Sequence, residues 1–498
     1  MIAGEGQPGS STTQRRQHSS EDRHGSLRIC VVGSGTYYLS GISYYTTYLA
    51  SALSCHVEVS TLLMRKLVPR RFYPGRARVG HRLTSLSTST LLPTFDGVDW
   101  YLLPSLLGAV RFLRRHDPEV LVLQWWTAAV LSQYLLLSWW ARRRGVPIVI
   151  ELHEDQDSGE QRIPLVARIG RWGLRRLAAS SSVFVVHSEW DRSRLSERFH
   201  LPISRVHVVP HGPYEVRADL EGTRQVSAPG PGPVRASSAR ATSTVPLASM
   251  AEHDLAGKTS TDRSPVDRVA TVSGPATQMG SYGWEPGADL TPIRLLFFGV
   301  IRPYKGLEDL VDAFSLLPRD SGKAWRLTIV GETWEDWTLP LEKLRDSAYR
   351  REVEVVNRYV ADDEAAAAFE EADIVVLPYH RSSASGPLHM AMGAGLPTVV
   401  TKVGGLVEAV HDYSGAVLVD PGNPAALAEG IVEATALMGL PHVRPLTWEQ
   451  IGDLYSRILY QVKEESAVGA PRMVPGAPRQ LDDVVNGQVR LREGAEAP

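Results

Sequence analysis

Arg302 and Lys305 stand in "FFGVIRPYKGLEDLVDAFSLL" (297–317), between an apolar run ending at Gly299 and helical apolar spacing at Leu307, Leu310, Val311 and Phe314. Arginine offers a planar fork of donors and lysine a compact point charge, so the pair suits a diphosphate whose negative charge grows as it departs. A solvated loop with two surface cations is the alternative. His153 follows the apolar run of "IVIELHEDQDSGE" (148–160), where a strand should end and an imidazole can orient a hydroxyl or share charge. Glu154, Asp155, Asp157 and Glu160 beside it could position a second reacting group, and a packed structural histidine is the other reading.

In "SSASGPLHMAMGAGLP" (382–397), Ser385 reads as a helix N-cap, Gly386 as a glycine that permits close approach, and Pro387 as the first helical residue, followed by Leu388. Backbone N–H groups and the helix dipole at such an end favour phosphate or sugar oxygens. His389 reads as a packed helix residue, with a contact to a ligand at that helix as the alternative. The loop "GSGTYYLSG" has Gly33 and Gly35 but Tyr38 where a G-x-G-x-x-G fingerprint needs its third glycine. A dinucleotide oxidoreductase therefore loses ground.

The elements that must position these residues follow one grammar. Apolar runs "LRICVVG", "HVEVSTLL", "EVLVLQW", "PIVIEL", "SVFVVHS" and "VHVVPHG" alternate with helix-like stretches from residue 27 to 212. The pattern resumes at 293 with "IRLLFFGVI", "RLTIVG", "VEVVNRYV", "DIVVLPY", "PTVVTKVGG" and "AVLVD". Continuous apolar strands separated by helices imply parallel sheets covered on both faces, hence two doubly wound α/β domains with ligands beyond the strands' carboxyl ends. The expected division is a disordered tail 1–26, a first domain 27–217, a low-complexity insertion 218–291, a second domain 292–447, a C-terminal helix 448–464 crossing back to the first domain, and a disordered tail 465–498.

The 498 residues include 43% hydrophobic and 22% charged, enough for two cores. A net charge of −2 argues against a general nucleic-acid binder. The two cysteines, Cys30 and Cys55, cannot build a disulfide framework, and the first 26 residues lack a signal-peptide core, so a reducing cytoplasm is expected. Residues 120–140 approach the length of a membrane span but divide better into a strand, 119–125, and a helix, 127–145, with Gly145 at its end.

Several of these motifs, in this order, resemble retaining glycosyltransferases of family 4, which have the GT-B fold of two facing Rossmann-like domains with a cleft between them. The resemblance rests on "RPYKG" (302–306), "SGISYYTTYLASAL" (40–53), "VVHSEWDRSRLSERFHLPISRVHVVPHG" (185–212) and "GLPTVVTKVGGLVE" (395–408). It implies that Arg302, Lys305 and Gly306 hold the donor diphosphate, that Gly41 lies close to its phosphates, and that His153 touches the donor sugar. It implies no cofactor and no metal. The family's usual pair of glutamates, with seven residues between them, aligns with Ser382 or Ser383 and with Met390, so both acids are missing.

The expected function is transfer of a hexose from a nucleotide diphosphate sugar to an unidentified acceptor with retention. A non-catalytic sugar-nucleotide sensor, favoured by the missing acids, and an epimerase on the same fold are the rivals. Arg168, Arg171, Arg175 and Arg176 with Ile169, Trp172, Leu174 and Leu177 could rest on an anionic membrane; a solvated helix face is the alternative.

Overall fold

The computed structural model describes residues 26–35, 41–66, 92–99, 103–153, 164–214, 291–319, 323–443 and 446–467. Nearly all of the two proposed tails and of the proposed insertion, Tyr38 and the acids Glu154, Asp155, Asp157 and Glu160 lie outside them.

Thirteen strands are described: β1 (Arg28–Ser34), β2 (Glu58–Lys66), β3 (Thr94–Asp99), β4 (Val120–Trp125), β5 (Ile148–Leu152), β6 (Val183–Val186), β7 (Val206–Val208), β8 (Ile293–Phe298), β9 (Trp325–Val330), β10 (Val353–Val356), β11 (Ile374–Leu377), β12 (Thr398–Thr401) and β13 (Ala416–Val419). They form two sheets, ordered β3-β2-β1-β4-β5-β6-β7 and β10-β9-β8-β11-β12-β13. Every strand pairing is parallel. Both orders reverse direction beside their first strand, at β1/β4 and β8/β11, and loops leaving such neighbours part to open a crevice.

The strands consist of Val, Ile, Leu and Phe runs because both faces are covered; β4, β5, β6 and β11 are buried along their whole length. The apolar stretch at 120–140 divides as expected. β4 is followed by a turn capped by Thr127, whose hydroxyl accepts the Ala129 N–H, and then by helix Leu131–Arg143. Among the described residues no helix is long and apolar enough to cross a membrane.

The last helix, Trp448–Ala467, runs three residues beyond the expected end. Ile451, Tyr455, Ile458, Leu459 and Val462 form one helical stripe, and they join Val31, Tyr45 and Leu49 in the core beneath the first sheet. Gly452 allows the approach: a Cβ there would lie 2.8 Å from the Ala52 carbonyl oxygen.

Candidate active site

The loop carrying Arg302 and Lys305 and the helix beginning at Gly386 meet because β8 and β11 are neighbours at the reversal of the second sheet. The His380 N–H donates to the Tyr304 carbonyl at 2.8 Å, tying the two loops together. Gly306 has φ +62°, and a Cβ there would fall 1.9 Å from the Pro378 oxygen. The fold itself therefore demands glycine at 306. Lys305 Nζ lies 3.7 Å from the centre of the Tyr379 ring, and the Tyr379 hydroxyl hydrogen-bonds Ser385 Oγ at 3.2 Å.

Arg302 and Lys305 are only 6% and 7% exposed, which overturns the solvated-loop reading. A buried guanidinium needs an opposite charge. Glu335 supplies it at 3.3 Å, while the Trp334 ring lies 4.6 Å from the guanidinium carbon.

The helix Gly386–Ala394 starts as its sequence implies, with Ser385 Oγ accepting the Leu388 N–H at 3.3 Å. This cap consumes donors that sequence reasoning left for a ligand. Pro387 has none, the Leu388 side chain is in the core, and the His389 N–H goes to the Ser385 carbonyl. Among the first-turn donors, Gly386 N–H is the one without an intramolecular partner among the described residues.

On the first sheet, His153 sits just past β5, with its N–H donated to the Trp125 carbonyl at 3.0 Å. Its ring is buried, and the hydrogen bonds fix its proton. The Val209 carbonyl can only accept, so His187 donates to it from Nδ1 at 3.0 Å. His187 Nε2 must then accept, so His153 donates from Nδ1, also at 3.0 Å. His153 Nε2 is left as a buried acceptor with no hydrogen-bond partner among the described residues, 3.8 Å from Glu151.

Burial holds both histidines below their ordinary range, His187 at about 4. Burial also pushes the Glu151 carboxyl up to about 7, against hydrogen bonds from Tyr45 at 2.6 Å and Gln124 at 2.9 Å that favour its charge. Glu151, His153 and His187 are the one group among the described residues whose metal-ligating atoms lie close enough to share an ion. Their lone pairs and protons are largely committed to this hydrogen-bond chain.

The two sheets touch directly beside these groups. His389 is buried, with its ring stacked on His211 at 4.0 Å, and its carbonyl accepts the Tyr214 N–H at 3.1 Å. Glu408 accepts the N–H groups of Glu189 at 2.6 Å and Trp190 at 2.8 Å, at the start of helix Glu189–Phe199. A carboxylate there complements the helix dipole. Tyr44 donates to Asp362 across the same junction.

Residues 40–212 match the family described as Glycosyl transferase 4-like domain, and residues 292–436 match Glycosyl transferases group 1. The chain belongs to the GT-B glycosyltransferases. It is 25% identical over 416 residues to a D-inositol 3-phosphate glycosyltransferase of Pseudarthrobacter chlorophenolicus, covering 80% of this chain and 82% of the relative. The enzyme of the same description from Actinosynnema mirum is 24% identical over 456 residues, or 84% and 91% of the two chains. Among solved structures, sucrose-phosphate synthase from Thermosynechococcus elongatus aligns with 88% of this chain and 99% of its own, at TM-score 0.52 and 14% identity, a likeness of fold.

Two of the transferase's glycines separate structural from functional demand. Unlike Gly306, Gly41 has no positive φ, and a Cβ there would meet nothing within 4 Å among the described residues. Packing among those residues does not require a glycine there. Ser382 and Met390 are half-buried; Ser382 turns its hydroxyl to the Ala384 carbonyl and Met390 packs on the core, so neither provides a carboxylate. His389 is the packed residue expected of it. Trp334 and Glu335 were missed because ordinary loop letters in "GETWEDW" carry no spacing signal; their place after β9 was the available hint. His187 and Glu151 were hidden inside apolar strand runs.

Proposed function

We propose that this glycosyltransferase moves a hexose from a nucleotide diphosphate sugar to an acceptor hydroxyl with retention at the anomeric carbon. The observation that carries the reading is the burial of Arg302 and Lys305 together at the β8/β11 reversal, beside the Gly386 helix start. Two desolvated cations and one helix N-terminus suit two phosphate groups far better than a neutral ligand.

In the proposed step the bond from the anomeric carbon to the diphosphate oxygen breaks, and the acceptor oxygen bonds the same face. The acceptor proton passes to the leaving diphosphate. Arg302 and Lys305 stabilise the charge that develops there. His153 Nε2, a bare buried acceptor, takes a hydrogen bond from a donor-sugar hydroxyl, and Gly41 admits the phosphates. With Ser382 and Met390 in the glutamate positions, the ribose is held without those carboxylates. Glu154, Asp157 and Glu160 remain the proposed acceptor-side residues. The inositol phosphate glycosyltransferase relatives make a phosphorylated polyol the first acceptor class to test, and as transferases they weigh against the sensor and the epimerase.

A contact with anionic membrane is part of the same proposal. On helix Pro164–Ala178, Leu165, Ile169 and Trp172 are 64%, 47% and 58% exposed, among exposed Arg168, Arg171, Arg175 and Arg176. Leu174 and Leu177, by contrast, face the core. An apolar stripe bordered by arginines suits the headgroup boundary.

The test is thermal stabilisation across UDP-, GDP-, ADP- and TDP-sugars, with product detection and with Arg302→Ala and Lys305→Ala alongside. A donor at about 100 times its Kd adds about 2.7 kcal/mol to stability. One donor should stabilise the wild type, fail with both variants, and be turned over. If no donor binds, or binding survives both substitutions, the reading is wrong.

A further inference from the structure

The carboxylate on Arg302 is held there by an unusual piece of backbone. Glu335 and Asp336 have φ of +61° and +54°, two consecutive non-glycine residues in the left-handed region. Such residues persist only where the surroundings over-determine them, and an observed outlier of this kind is a reason to look for function. Here the surroundings are explicit. The Ile301 N–H donates to the Glu332 carbonyl at 2.9 Å, and the Trp334 N–H returns to the Ile301 carbonyl at 3.0 Å. Asn357 Oδ1 accepts both the N–H and the hydroxyl of Thr333, at 2.9 and 3.0 Å. The Trp334 indole N–H donates to Glu332 at 2.7 Å. The strained turn is thus stitched to the residue preceding Arg302, and its product is one ion pair at 3.3 Å.

A carboxylate and a phosphate compete for the same guanidinium fork. The geometry points to Glu335 as a built-in competitor for the diphosphate subsite, a residue that makes the enzyme favour donor over spent nucleotide. A nucleoside diphosphate carries one more negative charge than the corresponding nucleotide diphosphate sugar, because the bond to the sugar has become a free phosphate oxygen. Repulsion from a nearby carboxylate therefore weakens the product more than the donor. Glu335 shields Arg302 in the empty site, yields to the donor, and speeds departure of the product.

This inference rests on Arg302 as a diphosphate ligand, and the experiment separates the two. Full-length wild type, Glu335→Gln, Glu335→Asn and Arg302→Ala are titrated calorimetrically with inorganic diphosphate and with UDP, GDP and ADP, at low and moderate salt. Product inhibition is compared with donor KM for the donor that turns over. Asparagine tolerates left-handed φ, so Glu335→Asn carries the test if the glutamine variant does not fold. Both substitutions should tighten diphosphate and nucleoside diphosphate binding about tenfold, and lower the product inhibition constant more than the donor KM. Unchanged or weaker binding in both, with Arg302→Ala abolishing it, overturns Glu335 as competitor and leaves it a support for Arg302. If Arg302→Ala binds like wild type, the diphosphate reading itself fails.

Discussion

Replacing His389 by leucine should make the protein less stable at pH 7.5 and more stable at pH 5. His389 is buried against His211, and burial first, then the nearby His187, lowers its pKa from 6.5 to about 3. The folded state thus keeps it neutral while the unfolded chain protonates it below about 6.5. Its contribution is fully present above that pH and is lost as pH falls toward 3, by about 5 kcal/mol at the limit and about 2 kcal/mol by pH 5. Leucine removes this linkage but also the ring stack, a loss of about 1 kcal/mol at every pH. The two stability curves should therefore cross between pH 5 and 6.5.

The neighbouring groups leave the signal readable. Burial holds His153, His187 and His211 below their ordinary range and pushes the Glu151 carboxyl up to about 7, but these groups are present in both proteins, so the difference between the two curves reports the substitution of His389. Urea unfolding followed by tryptophan fluorescence at pH 5, 6 and 7.5 gives the curves. A variant curve parallel to wild type, displaced but with the same slope in pH, would refute the claim that His389 is held neutral at the junction.

Gly393→Ala should disrupt the junction of the two sheets, because a Cβ at that position would lie 1.9 Å from the Tyr214 carbonyl oxygen. A loss of more than about 2 kcal/mol and a larger radius of gyration by X-ray scattering are expected; a wild-type melt and radius would show that the junction is looser than the contact implies. For the membrane contact, wild type should co-sediment with vesicles rich in phosphatidylglycerol at low salt, and Ile169→Ser with Trp172→Ser should reduce the bound fraction several-fold. Equal sedimentation with neutral vesicles, or none at all, argues for a solvated helix face.

The legible part of the sequence was what local chemistry specifies. Apolar runs such as "LRICVVG" and "IRLLFFGVI" are strands because both of their faces are covered, and that requirement is written in consecutive letters. Ser385 and Gly145 act on backbone groups within a few residues, so the cap and helix end they imply were readable as well. Arg302 and Lys305 could be named as an anion-binding pair because fork and point charge are properties of the residues themselves.

Tertiary structure decided which groups those residues meet. Lys305 reaches Tyr379 only because β11 lies beside β8, and Arg302 acquires Glu335 only through a strained turn after β9. The proton on His153 is set by His187 and a carbonyl at residue 209, from separate strand ends of the first sheet. The sequence also suggested an open helix start at Ser385, whereas the fold shows most of its donors already used. Residue type and short spacing are local, so the sequence by itself determined the strands, the caps and the candidate cations. Burial, counter-charge and proton position depend on neighbours brought together by strand order, and those only the fold could assign.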